Sequence, residues 1–220
     1  MRRRVVRLAM PLVAVAAFFA ADRALAWNQL FPPGSDPNAA IPCTTFCVEW
    51  PKTSSNLSIN VDVYLSSLLG QQEVDLRTDV RNTFPQWNGV AARNPHLQET
   101  TSTDNEEVWV TTDTFAYNVY AGTSHTFWTS NPDKIKAAQV FFNTGIVWNR
   151  AYDFHCQASG GPCWADARKV AMHEFGHVEA LGHVPRDAAY NAVMKQGALT
   201  YHWPRGDDHN GIIAIYGAYP

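Results

Sequence analysis

The clearest alternation of apolar and polar positions runs from Leu57 to Leu65 (LSINVDVYL), which predicts a strand with one apolar face. From Gln72 to Trp87 the pattern changes. Val74, Val80, Phe84 and Trp87 recur at mixed three-, four- and six-residue spacings with acids near the start, which predicts an amphipathic helix ended by Asn88-Gly89. The run Glu107 to Phe115 (EVWVTTDTF) is rich in β-branched and aromatic residues, and AYNVYAG and HTFWTS read as two further short strands. Another strand is expected in IKAAQVFFNTG, followed by an aromatic stretch through Trp148. After the loop CQASGGPC, Trp164 to about Ala180 predicts a second long helix, interrupted only by Gly176. GIIAIYGAY predicts a short terminal helix. Helices beside a mostly β N-terminal half make an α+β domain.

The ends of the chain read differently. MRRRVVR followed by LAMPLVAVAAFFA and Ala24-Leu25-Ala26 has the basic, apolar and small-x-small order of an export leader, so residues 1–26 are expected to be removed. No later stretch approaches the roughly 20 apolar residues of a membrane helix. Residues 27–56 are rich in Pro, Ser, Asn and Thr and predict an extended N-terminal arm, leaving residues 57–220 as the main domain.

The leader holds five of the 17 Lys and Arg and one of the 20 acids, so the remaining chain has 12 basic against 19 acidic residues, a net charge of −7. That balance argues against a nucleic-acid partner. The expectation is an exported monomer, periplasmic or extracellular, without a membrane anchor; an uncleaved leader acting as such an anchor is the alternative. Four cysteines in such a chain allow three pairings. Spacing favours two local bridges, Cys43 to Cys47 and Cys156 to Cys163. The rival use of Cys43 or Cys47, as a thiolate capping a metal, needs that cysteine unpaired.

The candidate chemistry lies in KVAMHEFGHVEALGH. His173 and His177 are four residues apart, so on a helix they project from one face and can share a metal. Glu174 lies about 100° further round, close enough to serve as a base without being a ligand. His183 follows His177 by six residues, about 240° away on a continuous helix, so it can join only if the chain turns sharply. Gly182 offers such a turn. Three protein ligands leave one position of a tetrahedral zinc open, the catalytic arrangement. The chain has no Glu after Glu179 to act as a third ligand, and Met194 follows in Asn191-Ala192-Val193-Met194.

His173, Glu174, His177, His183 and Met194 resemble the metzincin pattern HExxHxxGxxH with its methionine turn. The lead-in KVAMHEFGH, the ending Leu181-Gly182-His183 and the segment RGDDHNGIIAIYG are similar to the matrixin branch. The likeness is specific over Val170 to Gly217. It implies a zincin-like fold with a twisted, mostly parallel mixed sheet, two long helices and a C-terminal subdomain carrying the Met-turn. It also implies one catalytic zinc on His173, His177 and His183, Glu174 as general base, and Met194 beneath the metal without binding it. Asp207 and Asp208 would anchor the last helix and the Met-turn. Matrixins also hold calcium and a second zinc, so calcium stays open, but no HxD array matches here and His125 and His155 read as loop residues. Ala180 stands where the family has Gly, and no cysteine-switch propeptide is recognisable.

By this analogy the chain is a secreted zinc endopeptidase. Substrate would lie along an edge strand within Glu107 to Phe115, and Ala198 to Pro204 would wall the specificity pocket. His96, His202 and His209 read as surface histidines, with His202 or Tyr201 able to reach substrate. Two rivals remain: a zinc amidase acting on cell-wall peptides, and a non-catalytic secreted zinc-binding protein. An intact Glu174 weighs against the second.

Overall fold

The computed structural model of the chain describes residues 48–51, 58–65, 71–90, 92, 94–100, 107–115, 119–150, 154–156, 163–184, 192–195 and 201–218. Eleven elements follow in order: β1 (Ser58–Val63), α1 (Gln71–Asn88), β2 (His96–Glu99), β3 (Val108–Asp113), β4 (Ala121–Trp128), β5 (Asn131–Asn143), β6 (Ile146–Asn149), β7 (Phe154–Cys156), β8 (Cys163–Asp166), α2 (Ala167–Val178) and α3 (Gly206–Tyr216). The architecture is α+β, with a mostly parallel mixed sheet and three helices.

The main sheet has the order β2-β1-β3-β5-β4. Its first three pairings are parallel and the last, β5 with β4, is antiparallel. In β1 the expected alternation is realised, since Ile59, Val61 and Val63 are buried and their neighbours are half-buried. Val108 and Val110 of β3 and Ile135, Ala138, Val140 and Phe142 of β5 continue the apolar face. The small sheet β6-β8-β7 leads into α2.

Several boundaries differ from the sequence reading. The expected strands AYNVYAG and HTFWTS are replaced by the single β4, because Ala121 to Trp128 pair in one antiparallel run with β5. β2 was not anticipated: its four residues carry only Leu97 inward and owe their extension to the parallel ladder with β1. Asn88 clamps it, donating to the Leu97 carbonyl at 2.9 Å and accepting from its N–H at 2.8 Å. The helix expected from Trp164 begins at Ala167. Trp164 and Ala165 pair with β6 and β7, and Asp166 caps the helix by accepting from the Lys169 N–H at 3.0 Å.

β3 lies between β1 and β5, so Glu107 to Phe115 is not an edge and has no free ladder for a substrate. Among the described residues the two edges are β2, which lies against α1, and β4, which lies against α2. The register of β4 is regular from Ala121 to Thr126 and shifts at Phe127 and Trp128.

The end of the arm is part of the core. Val48 and Trp50 are buried, Glu49 bridges to Lys134 at the start of β5, and the Trp50 indole N–H donates to the Val178 carbonyl at 2.8 Å. Cys43 and Cys47 lie outside the described residues. Cys156 stands opposite Cys163 across the antiparallel β7–β8 pair, a placement that suits a local bridge, and no described cysteine is free. No helix among the described residues is long and apolar enough to cross a membrane.

Candidate metal centre

Helix α2 packs against α1, where Phe84 and Phe175 meet with ring centroids 5.1 Å apart and the Trp87 indole donates to the Met172 carbonyl at 3.2 Å. That contact holds the helix from behind. Its other face presents His173, Glu174 and His177, all buried.

The turn that returns His183 to the helix is made at Ala180, with φ of 71°. The Leu181 N–H donates to the Gly176 carbonyl at 2.9 Å and the Ala180 N–H to that of His177 at 2.8 Å. These two bonds form a Schellman end, whose left-handed residue is commonly Gly. Gly182, offered by the sequence as the turning point, is not among the positive-φ residues.

His183 thereby meets both helix histidines. Its Nε2 lies 3.0 Å from His173 Nε2 and 3.1 Å from His177 Nε2. The opposite ring nitrogens are occupied: His173 Nδ1–H donates to the Val193 carbonyl at 2.9 Å and His177 Nδ1–H to the Leu181 carbonyl at 2.7 Å. These bonds place the protons on Nδ1 and leave Nε2 of both helix histidines as lone-pair donors. Burial lowers all three imidazole pKa values, His183 to about 3 and His177 well below its usual value, the latter helped by His183 and His173. His183 Nε2 then either carries a hydrogen and donates to one of them or, with its proton on Nδ1, joins them as a third lone-pair donor around a cation. Ligands about 2.05 Å from a tetrahedral zinc stand about 3.3 Å apart, close to the spacing seen here. The three histidines could therefore hold a metal ion, and they are the only such group among the described residues.

A second layer orients the ligands. Asp208, buried at the start of α3, accepts from the N–H groups of Val193 at 2.9 Å, Met194 at 3.3 Å and Arg205 at 2.8 Å. It fixes the segment whose Val193 carbonyl holds His173. Asp207 takes no part: its Oδ2 is buried without a partner. Met194 runs beneath α2, where a Cβ on Gly176 would lie 2.2 Å from its sulfur. A side chain at position 176 would have to displace the Met194 thioether and press on the Trp87 ring, which lies 3.0 Å away.

Glu174 is buried beside the histidines, and burial pushes its carboxyl up to about 7 against the pull of Thr123. Thr123 Oγ1–H donates to Glu174 Oε2 at 2.7 Å. Two residues on, His125 Nε2 lies 3.0 Å from the His177 carbonyl and donates to it. His125 is therefore a strand residue bonded to the helix and not a loop histidine; burial lowers its pKa to about 4. Both contacts escaped the sequence reading. Alternation along β4 puts residues 123 and 125 on one face, but nothing local says that α2 lies against it.

The remaining histidines are apart from the centre. His202 Nε2 is 2.9 Å from Asp166 Oδ2, so it ties the loop after the Met-turn to the α2 cap. Tyr201 packs under the Arg205 guanidinium at 4.8 Å. Ala198 to Thr200, the rest of the expected pocket wall apart from Tyr201 to Pro204, lie outside the described residues, as does the side chain of His155. Compared with known proteins, the chain matches no family model and no curated sequence.

Proposed function

We propose that the protein is a zinc-dependent endopeptidase of metzincin type, exported and acting on extended peptide segments. The observation that carries this reading is the convergence of three neutral imidazole Nε2 atoms beside a buried carboxyl that is not one of the three. A closed structural site would take a fourth protein ligand and would have no use for Glu174. The N-donor set, near-tetrahedral spacing and oriented second layer suit zinc better than the oxygen-seeking calcium or magnesium.

Zinc bound there would supply Lewis acidity, lowering the pKa of water and polarising a carbonyl. Glu174 provides the base: its carboxylate accepts a proton from the attacking water and returns it to the leaving amine nitrogen. His173 and His177 keep their lone pairs aimed because Val193 and Leu181 hold their other nitrogens. The edge of β4, with no described strand on its outer side, regular over Ala121 to Thr126 and bonded to α2, would receive an extended substrate as an added strand.

The test is Glu174→Gln. It should keep one zinc per chain and the fold while losing at least about a hundredfold in peptide hydrolysis. Full activity in that variant contradicts the mechanism.

A further inference from the structure

We infer that Thr123 is a positioning residue for the general base, holding the Glu174 carboxyl through β4; this rests on the function proposed above. Thr123 and His125 share the face of β4 that meets α2, and each sends one hydrogen bond to the helix. The Thr123 hydroxyl lies 2.7 Å from Glu174 Oε2 and 3.2 Å from the Glu174 backbone carbonyl. With one proton to give, it serves the nearer carboxylate oxygen.

No other described side chain or backbone N–H bonds to that carboxyl. A Glu side chain has three rotatable bonds, so a single partner decides where its oxygens point. Occupying Oε2 leaves Oε1 as the oxygen free to exchange a proton. The donor stands on the edge strand and not on the helix, so the base is aligned by the same strand that the proposed function gives to the substrate. The His125 bond to the His177 carbonyl keeps that strand in register with the helix one turn further on. Valine is nearly the same shape as threonine, so replacement removes the donor and little else.

Thr123→Val should lower kcat about 10- to 100-fold, the range expected for losing a hydrogen bond to a charged group that also sets geometry. KM should stay within about twofold and zinc content should not change. Thr123→Ser should recover most of the loss, and in a Glu174→Gln background Thr123→Val should have no further effect on kcat. The same pair is read without metal, in the urea midpoints of the zinc-free protein. There Thr123→Val and Glu174→Ala should shift the midpoint non-additively, because the two side chains bond directly and alanine removes the acceptor. Undiminished kcat in Thr123→Val, a serine variant as impaired as the valine one, or additive midpoints would each overturn the inference. A wild-type chain that cleaves no peptide would overturn the proposed function instead, and the midpoints would still decide the contact.

Discussion

Ala180 carries a left-handed backbone at the end of α2, a conformation that costs an L-residue about 1–2 kcal/mol. Ala180→Gly relieves that strain but loses a buried methyl, worth about 0.8 kcal/mol, and frees the unfolded chain by about 0.4–1 kcal/mol, so its net effect on stability should be within about 1 kcal/mol. Ala180→Val adds branching at a fully buried, left-handed position and should cost more than about 2 kcal/mol. Urea unfolding of both variants checks the pair, and a valine variant as stable as wild type would show that the turn lies elsewhere. Asp207 titrates for a different reason. Burial, helped by Asp208, lifts its carboxyl from 3.8 to about 6. The folded chain then holds a proton that the unfolded chain releases between about pH 4 and 6, so this group's contribution to stability falls as pH rises through that window. Asp207→Asn should flatten that fall and raise the melting temperature at pH 7 relative to wild type, with little difference at pH 4. Equal gains at both pH values would mean that charge is not the cause.

Among the elements, α2 and the Met-turn are matched through Gly176. A methyl group there would meet the Met194 sulfur at 2.2 Å and the Trp87 ring at 3.0 Å. Alanine favours a helix interior by up to about 1 kcal/mol over glycine, yet overpacking of this kind costs about 1–3 kcal/mol. Gly176→Ala should therefore be destabilised, with the Met194 thioether and the Trp87 ring giving way. Urea unfolding of the purified variant checks this, and a variant as stable as wild type would contradict it. The strength of each sequence signal follows from how local its cause is. The α1 helix and the β1 strand each satisfy a short-range period, and their bounds match the reading to within a residue or two. The two helix ligands share that virtue, since four residues make one turn. Beyond this the causes become distant. Which strands are edges depends on the order β2-β1-β3-β5-β4, set by pairings across the whole sheet, so the substrate strand expected within Glu107 to Phe115 is interior and the edge against α2 is β4. Thr123 and His125 matter only because α2 lies against that strand.

At the scale of the molecule, the centre brings together distant stretches. The sheet edge supplies Thr123 and His125, α2 and the Schellman turn after it supply His173, Glu174, His177 and His183, and Asp208 fixes the segment of Val193 and Met194 from the far end of the chain. Even the arm contributes, since Trp50 satisfies a carbonyl at the α2 end that would otherwise be orphaned in the core. On the proposed function, such a site needs the fold intact and takes its chemistry from a bound zinc. The most direct test is digestion of unfolded casein by the purified protein, with and without a zinc chelator. Cleavage that stops on chelation and returns on adding zinc is the predicted result. Cleavage that continues undiminished in the metal-free protein, or no cleavage with zinc bound, would contradict the account.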